Sequence, residues 1–176
     1  MKYQDNPPNA VSLLSSLRDI GYNIETAIED LIDNSITAES TRIEIRMIWN
    51  EGEPWVAILD NGKGMSSSEL IQAMKLGSKS PLEERDKDDL GRFGLGLKTA
   101  SFSQCKQLTV VTINKGKISA AEIDLDEIIK NNDKGFRVGI LDRKDIENIE
   151  QIREYFSEFI TSNQGTLVLW RKMDRV

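Results

Sequence analysis

The chain has 176 residues, 30% charged and 39% hydrophobic, with a net charge of −6. This suits one soluble domain with a sizeable core and argues against a nucleic-acid-binding surface for the chain as a whole. With no histidine and a single cysteine, Cys105, it excludes His-based triads, His metal sites, phosphohistidine chemistry and an internal disulfide within itself.

No apolar run approaches the roughly 20 residues of a membrane span, and the N-terminus lacks a basic-then-apolar signal, so a cytoplasmic protein is expected. Cys105 reads as a buried small side chain in a reducing compartment. In chain order, Val11, Leu14 and Leu17 predict a helix over residues 10–20, stopped by Gly21. Asn23 is placed to cap a second helix over 24–37, whose Ile24, Ala27, Ile28, Leu31, Ile32 and Ile36 form one broad apolar face. Residues 41–49 alternate, with Ile43, Ile45, Met47 and Trp49 on one side, and predict a strand. After a turn at 50–53, residues 55–59 predict a short apolar strand running into Asp60. Ser66 with Glu69 has the form of a capping box, predicting a helix over 67–76. Residues 77–89 are polar and charged, a loop too long for a simple connection.

A helix over 97–104 follows the glycine-rich stretch 91–96, and strands over 108–114 and 117–123 flank a hairpin at Lys115-Gly116. A short helix over 125–130, a strand over 136–141, a long helix over 144–160 and a last strand over 165–172 complete the reading. The pattern is a two-layer α/β sandwich of α+β type, a mostly antiparallel mixed sheet with helices on one face, in one domain over 1–176. The Trp49, Trp55 and Trp170 side chains read as core or edge packing.

Three constellations carry chemistry. The second helix holds Glu29, Asp30, Asp33 and Asn34 inside an apolar pattern, with Asp30 and Asn34 one turn apart on one face. Burying such groups costs several kcal/mol unless they meet water, a metal or a ligand. Next, Asp60-Asn61-Gly62-Lys63-Gly64 has the form D-x-G-x-G at a strand end. It suits an Asx turn, and also a carboxylate accepting from an exocyclic amine beside glycines that admit a flat ligand. Third, Gly91-Arg92-Phe93-Gly94-Leu95-Gly96-Leu97-Lys98 opens a helix. The stretch suits a loop that merely turns a corner, and also a phosphate cradle of backbone N–H groups and a helix N-terminus, with Lys98 and Thr99 placed to assist.

In this order the three constellations resemble the GHKL ATPase superfamily, which includes gyrase, large heat-shock chaperones, histidine kinases, MutL proteins and MORC proteins. The segments Asp30-Leu31-Ile32-Asp33-Asn34-Ser35 and Gly94-Leu95-Gly96-Leu97-Lys98-Thr99-Ala100-Ser101 are most similar to MORC-like and related prokaryotic ATPases. The resemblance covers residues 10–172 and implies a Bergerat ATP-binding fold that binds ATP with Mg²⁺. Carried over by motif position, it implies that Asn34 ligates Mg²⁺, that Asp60 binds the adenine amine, and that Gly62, Gly64 and Met65 line the base pocket. It further implies a lid over 78–90 beginning after Gly77. Gly91, Phe93, Gly94, Leu95, Gly96, Leu97 and Lys98 match the phosphate segment, and the Thr166 hydroxyl supports Asp60. The family's general base is a glutamate four residues before the asparagine. Here that position is Asp30, with Glu29 one residue earlier and about 100° round the helix. Asp30 is favoured by geometry and Glu29 is the alternative. The resemblance implies slow ATP hydrolysis driving a conformational or dimerisation switch within a larger protein, completed by a homodimer partner or a downstream domain. The other reading is an ATP-binding regulatory module with negligible hydrolysis. DNA enters only as a target of a larger assembly.

Overall fold

The computed structural model describes residues 10–19, 22–75, 96–131 and 135–174. The expected lid over 78–90, Gly77 and the glycines 91 and 94 with Phe93 and Leu95 lie outside the described residues. Two helices come first, α1 (Ala10–Arg18) and α2 (Ile24–Thr37), followed by strands β1 (Ile43–Ile48) and β2 (Trp55–Asp60). Next are α3 (Ser67–Met74), α4 (Gly96–Gln104), β3 (Cys105–Asn114), β4 (Lys117–Asp124) and α5 (Leu125–Lys130). The chain continues through β5 (Gly139–Leu141), α6 (Arg143–Asn148), α7 (Glu150–Tyr155) and β6 (Gly165–Met173).

Local chemistry explains most of these boundaries. Asn23 caps α2, its side chain accepting from the Thr26 N–H at 2.8 Å. Ser66 and Glu69 form the reciprocal capping box of α3. Lys115 and Gly116 both take positive φ, 50° and 73°, as a two-residue hairpin between antiparallel strands demands.

The six strands run in the order β1-β2-β6-β3-β4-β5, and every neighbouring pair is antiparallel. Alternate residues of β2, β3 and β6 feed two separate apolar clusters. One holds Val56, Ile58, Leu108, Val110 and Trp170 against Leu31 of α2, Leu70 of α3 and Phe102 of α4. The indole N–H of Trp170, fully buried, donates to Ser101 Oγ at 2.8 Å and ties α4 to the sheet. The other cluster, on the opposite face, joins Trp55, Ala57, Val111, Leu167 and Leu169 to Ile146, Ile149, Ile152, Phe156 and Phe159. The α/β class with an antiparallel sheet is therefore present, and the segment after β5 adds a smaller layer on the second face.

That segment differs from the single long helix expected over 144–160. It forms α6, α7 and a 3₁₀ turn over Phe159–Thr161, broken at Ile149, which is extended at ψ 113°. Of the apolar stripe, Ile146, Ile149, Ile152, Phe156 and Phe159 are buried while Tyr155 is exposed, so most of the face is kept while the rod is not straight. The strand expected over 136–141 shrinks to Gly139–Leu141. β1 forms within the strand expected over 41–49 and lies at the sheet edge. As an edge strand it leaves Met47 53% exposed, with Ile45 also exposed and Trp49 65% exposed just beyond it. Trp55 and Trp170 are buried as expected. No helix among the described residues is long and apolar enough to cross a membrane.

The orientation of α2 has a direct test in denaturant unfolding. Leu31 is 2% exposed and Ile36 52%. Leu31→Ala should cost about 2–5 kcal/mol, and Ile36→Ala no more than about 0.5 kcal/mol. Equal losses would mean that the helix is rotated from the position described.

Candidate functional site

The site starts at the end of β2. Trp55, Val56, Ala57 and Ile58 are buried, so the strand threads the centre of the molecule and delivers Asp60 opposite Thr166 of β6. Asp60 is itself buried. One carboxylate oxygen accepts the Gly62 N–H at 2.8 Å, and the other accepts the Ser35 hydroxyl of α2 at 3.0 Å. The backbone N–H of Thr166 also donates to this carboxyl. Burial raises the Asp60 carboxyl above the usual carboxylate range, while the hydrogen bonds from Gly62, Ser35 and Thr166 pull the other way. A carboxylate offers about four acceptor positions, so these donors leave capacity for a ligand amine.

The loop after Asp60 is pinned at each residue. Asn61 Oδ1 accepts from the backbone of Thr41 and Arg42 and from the Ser40 hydroxyl, all at 2.9 Å. The Lys63 N–H donates to Ala38 O at 2.9 Å, and its carbonyl accepts from Asn114 Nδ2 at 2.8 Å. The Met65 N–H donates to Thr112 Oγ1 at 2.8 Å, and that hydroxyl donates on to Gly165 O at 3.2 Å. Gly64 has φ 65°, and a Cβ there would run into the Ile113 carbonyl. Its glycine is thus required by the seat of the loop on β3, in addition to any ligand in the cavity. Gly165, at φ 135°, meets the same limit against the Asp60 carbonyl.

Asp60 opens into a cavity of about 630 Å³. Volume alone does not single it out, since a groove beside α3 reaches about 780 Å³. Its chemistry does. The walls are apolar, from Leu31, Ile58, Met65, Val110 and Val168, and the polar groups Asp60, Asn34, Ser35 and Thr166 converge on it. Gly96 and Leu97, the first described residues of α4, also line it. The N–H groups of a helix's first turn lack intrahelical partners and attract anions.

Of the residues singled out in sequence, Asn34, Asp60, Gly64, Met65, Gly96, Leu97 and Thr166 line this cavity. Gly62 stands behind it, holding Asp60. Asp30 is half-buried beside the start of α4, where a Cβ on Gly96 would lie 3.8 Å from its Oδ2, whereas Glu29 is exposed. Lys98 is not among the lining residues. It is fully buried and donates to the Lys75 carbonyl at 2.5 Å, and burial pushes its ammonium down to about 8. The Thr166 hydroxyl faces Thr112 Oγ1 at 3.2 Å, so the bonds that hold Asp60 come from the Gly62 and Thr166 backbone and from the Ser35 hydroxyl.

Sequence reasoning missed Ser35, Thr112 and Tyr22, which donates to Asp30 Oδ2 at 2.9 Å. For Ser35 a signal existed. It continues the buried Ala27–Leu31 spacing of α2, and a hydroxyl at that position needs a partner. No local pattern marks Thr112, which reads as an ordinary strand residue.

A sequence model of the family described as "Histidine kinase-, DNA gyrase B-, and HSP90-like ATPase" matches residues 22–165. Among curated relatives, the DNA mismatch repair protein MutL of Thermosipho melanesiensis is 33% identical over 96 residues, 53% of this chain and 17% of that protein. ATPase morc-1 of Caenorhabditis elegans is 30% identical over 95 residues, 54% of this chain and 11% of the relative. ATPase MORC2B of Mus musculus is 32% identical over 114 residues, 58% and 11% respectively. The chain thus spans less than a fifth of the length of these relatives. A match over this much of the chain, on a fold whose cavity joins a buried aspartate to a helix N-terminus, places it in the histidine kinase-, gyrase- and HSP90-like (GHKL) ATPase family.

Proposed function

We propose that this chain binds ATP in the cavity with Mg²⁺ and hydrolyses it slowly, as the switch module of a larger assembly. The observation that carries the reading is one cavity lined both by a buried carboxylate, Asp60, and by the first described residues of α4, Gly96 and Leu97. Asp60 accepts from the adenine amine, the apolar walls take the base, and the N-terminus of α4 takes phosphate charge. Because the donors to Asp60 are fixed before ligand arrives, its orientation costs little on binding.

The residues present fit a magnesium ion. Asn34 lines the cavity and supplies an amide oxygen. No cluster of three or more acidic, cysteine or histidine ligands occurs among the described residues. Mg²⁺ commonly takes one or two protein oxygens and completes its shell with phosphate and water, so Asn34 is the residue that would hold it. When bound, the ion supplies charge compensation to the phosphates. Asp30 then acts as the general base for the attacking water, since its carboxylate lies next to the first residue of α4 while Glu29 is exposed. Names of relatives that include DNA mismatch repair support a role near DNA through a larger assembly, with a second copy or a following domain as the element moved by ATP.

Adenine selectivity tests the base pocket. Calorimetry should give clearly tighter binding of ATP than of GTP, because a guanine carbonyl facing Asp60 leaves acceptors unpaired at a cost of about 1–3 kcal/mol. Asp60→Asn should weaken ATP strongly. Since burial raises this carboxyl, ATP affinity should fall on acidification at a higher pH than an ordinary carboxylate would give, as the acceptor is lost when pH drops through the raised value.

Asn34→Ala should abolish the extra thermal stabilisation that Mg²⁺ adds to ATP, with the unliganded melting temperature unchanged. Retained stabilisation would move the metal ligand elsewhere.

Asp30→Asn should keep ATP affinity and lose about 10²–10⁴-fold in phosphate release, with a much smaller loss for Glu29→Gln. The reverse order would make Glu29 the base, and no release by the parent would favour a binding switch without turnover.

A further inference from the structure

Tyr22 precedes the cap of α2, yet its hydroxyl reaches two turns into that helix and donates to Asp30 Oδ2 at 2.9 Å. Among the described residues it is the one side chain hydrogen-bonded to the Asp30 carboxylate. The tyrosine is held from both sides. Its ring packs against the helix-side core, and its carbonyl accepts from Gln104 Nε2 at 2.9 Å. Gln104 is 1% exposed and ends α4, the helix whose first residue, Gly96, lies beside Asp30 Oδ2. Both ends of α4 therefore bear on the same pair of residues, one through Gln104 and Tyr22, the other through Gly96.

We propose that Tyr22 is the positioning residue of the hydrolytic base: its hydroxyl holds Oδ2 and fixes the plane of the Asp30 carboxylate beside the start of α4. This rests on Asp30 being the base. An aspartate reaches less far than a glutamate, and a short base gains most from having its orientation fixed, because the proton must pass over hydrogen-bond distance. A donor held on the carboxylate fixes its plane and leaves acceptor positions free, the arrangement by which outer partners orient catalytic side chains elsewhere. The same contact acts on the phenol: burial, followed by the Asp30 hydrogen bond and charge, raises Tyr22 above the usual tyrosine range.

The test uses the chain with Tyr22→Phe, Asp30→Asn and the double variant. Phosphate release is measured at saturating ATP and Mg²⁺, and ATP affinity by calorimetry. Tyr22→Phe should lower kcat roughly 10- to 100-fold, with KM and Kd for ATP within about twofold. The double variant should be no slower than Asp30→Asn alone. A second readout needs no turnover. Tyr22 is one of three tyrosines, and its phenol absorbance, isolated by difference from Tyr22→Phe, should titrate at lower pH in Asp30→Asn. An unchanged kcat in Tyr22→Phe, a further loss in the double variant, a joint fall of kcat, affinity and melting temperature, or an unmoved phenol titration would each overturn the proposal. Full hydrolysis by Asp30→Asn would overturn the base assignment and this inference together. An inactive Asp30→Asn beside a fully active Tyr22→Phe would overturn the inference alone.

Discussion

Everything in the site leans on one buried carboxylate. Asp60 sits at the end of a strand buried on both faces, and an ionisable group there needs donors supplied by the fold. They come from three directions: Ser35 on α2, Gly62 in the following loop, and Thr166 on β6. Satisfying Asp60 therefore fixes α2 against the sheet, the loop against α2, and β6 against β2. The cavity is the space left between these elements and the start of α4.

The same economy governs the loop over residues 61–65. Its backbone is bonded to the α2–β1 connection on one side and to β3 on the other. Thr112 is central, because one hydroxyl accepts from Met65 and donates to Gly165, joining the loop, β3 and β6. A rigid loop of this kind offers its polar groups without an ordering cost when ligand binds. The glycines matter as much for this seat as for ligand access, since Gly64 and Gly165 both abut backbone where a Cβ does not fit.

Beyond the site, the sheet is covered unequally. Helices α2, α3 and α4 bury one face, and the shorter α6 and α7 bury the other through Ile146, Ile152 and Phe156. Trp55 meets Tyr155 at 5.3 Å between ring centroids, and Arg46 lies over both Tyr155 and Phe156, so the edge of the second layer is closed by aromatic and cationic contact.

The sequence by itself determined what depends on neighbours within about one turn. The Asn23 cap, the Ser66–Glu69 box, the Lys115-Gly116 hairpin and the Asx turn at Asp60 are closed by partners two or three residues away, and all were legible. So was the order of the acidic helix, the D-x-G-x-G turn and the glycine-rich helix start, from which the family and the fold class follow, and seven of the residues singled out there line the cavity. Only the tertiary structure decided which side chains answer the buried ones. Ser35 meets Asp60 across 25 positions, Met65 meets Thr112 across 47, and Gln104 meets Tyr22 across 82, and no local pattern encodes such pairings. It also decided that β1 lies at the edge, where an alternating apolar face stays exposed, and that the C-terminal apolar stripe bends at Ile149. Periodicity records which side of an element is apolar, whereas packing decides whether that side meets a partner and whether the element runs straight.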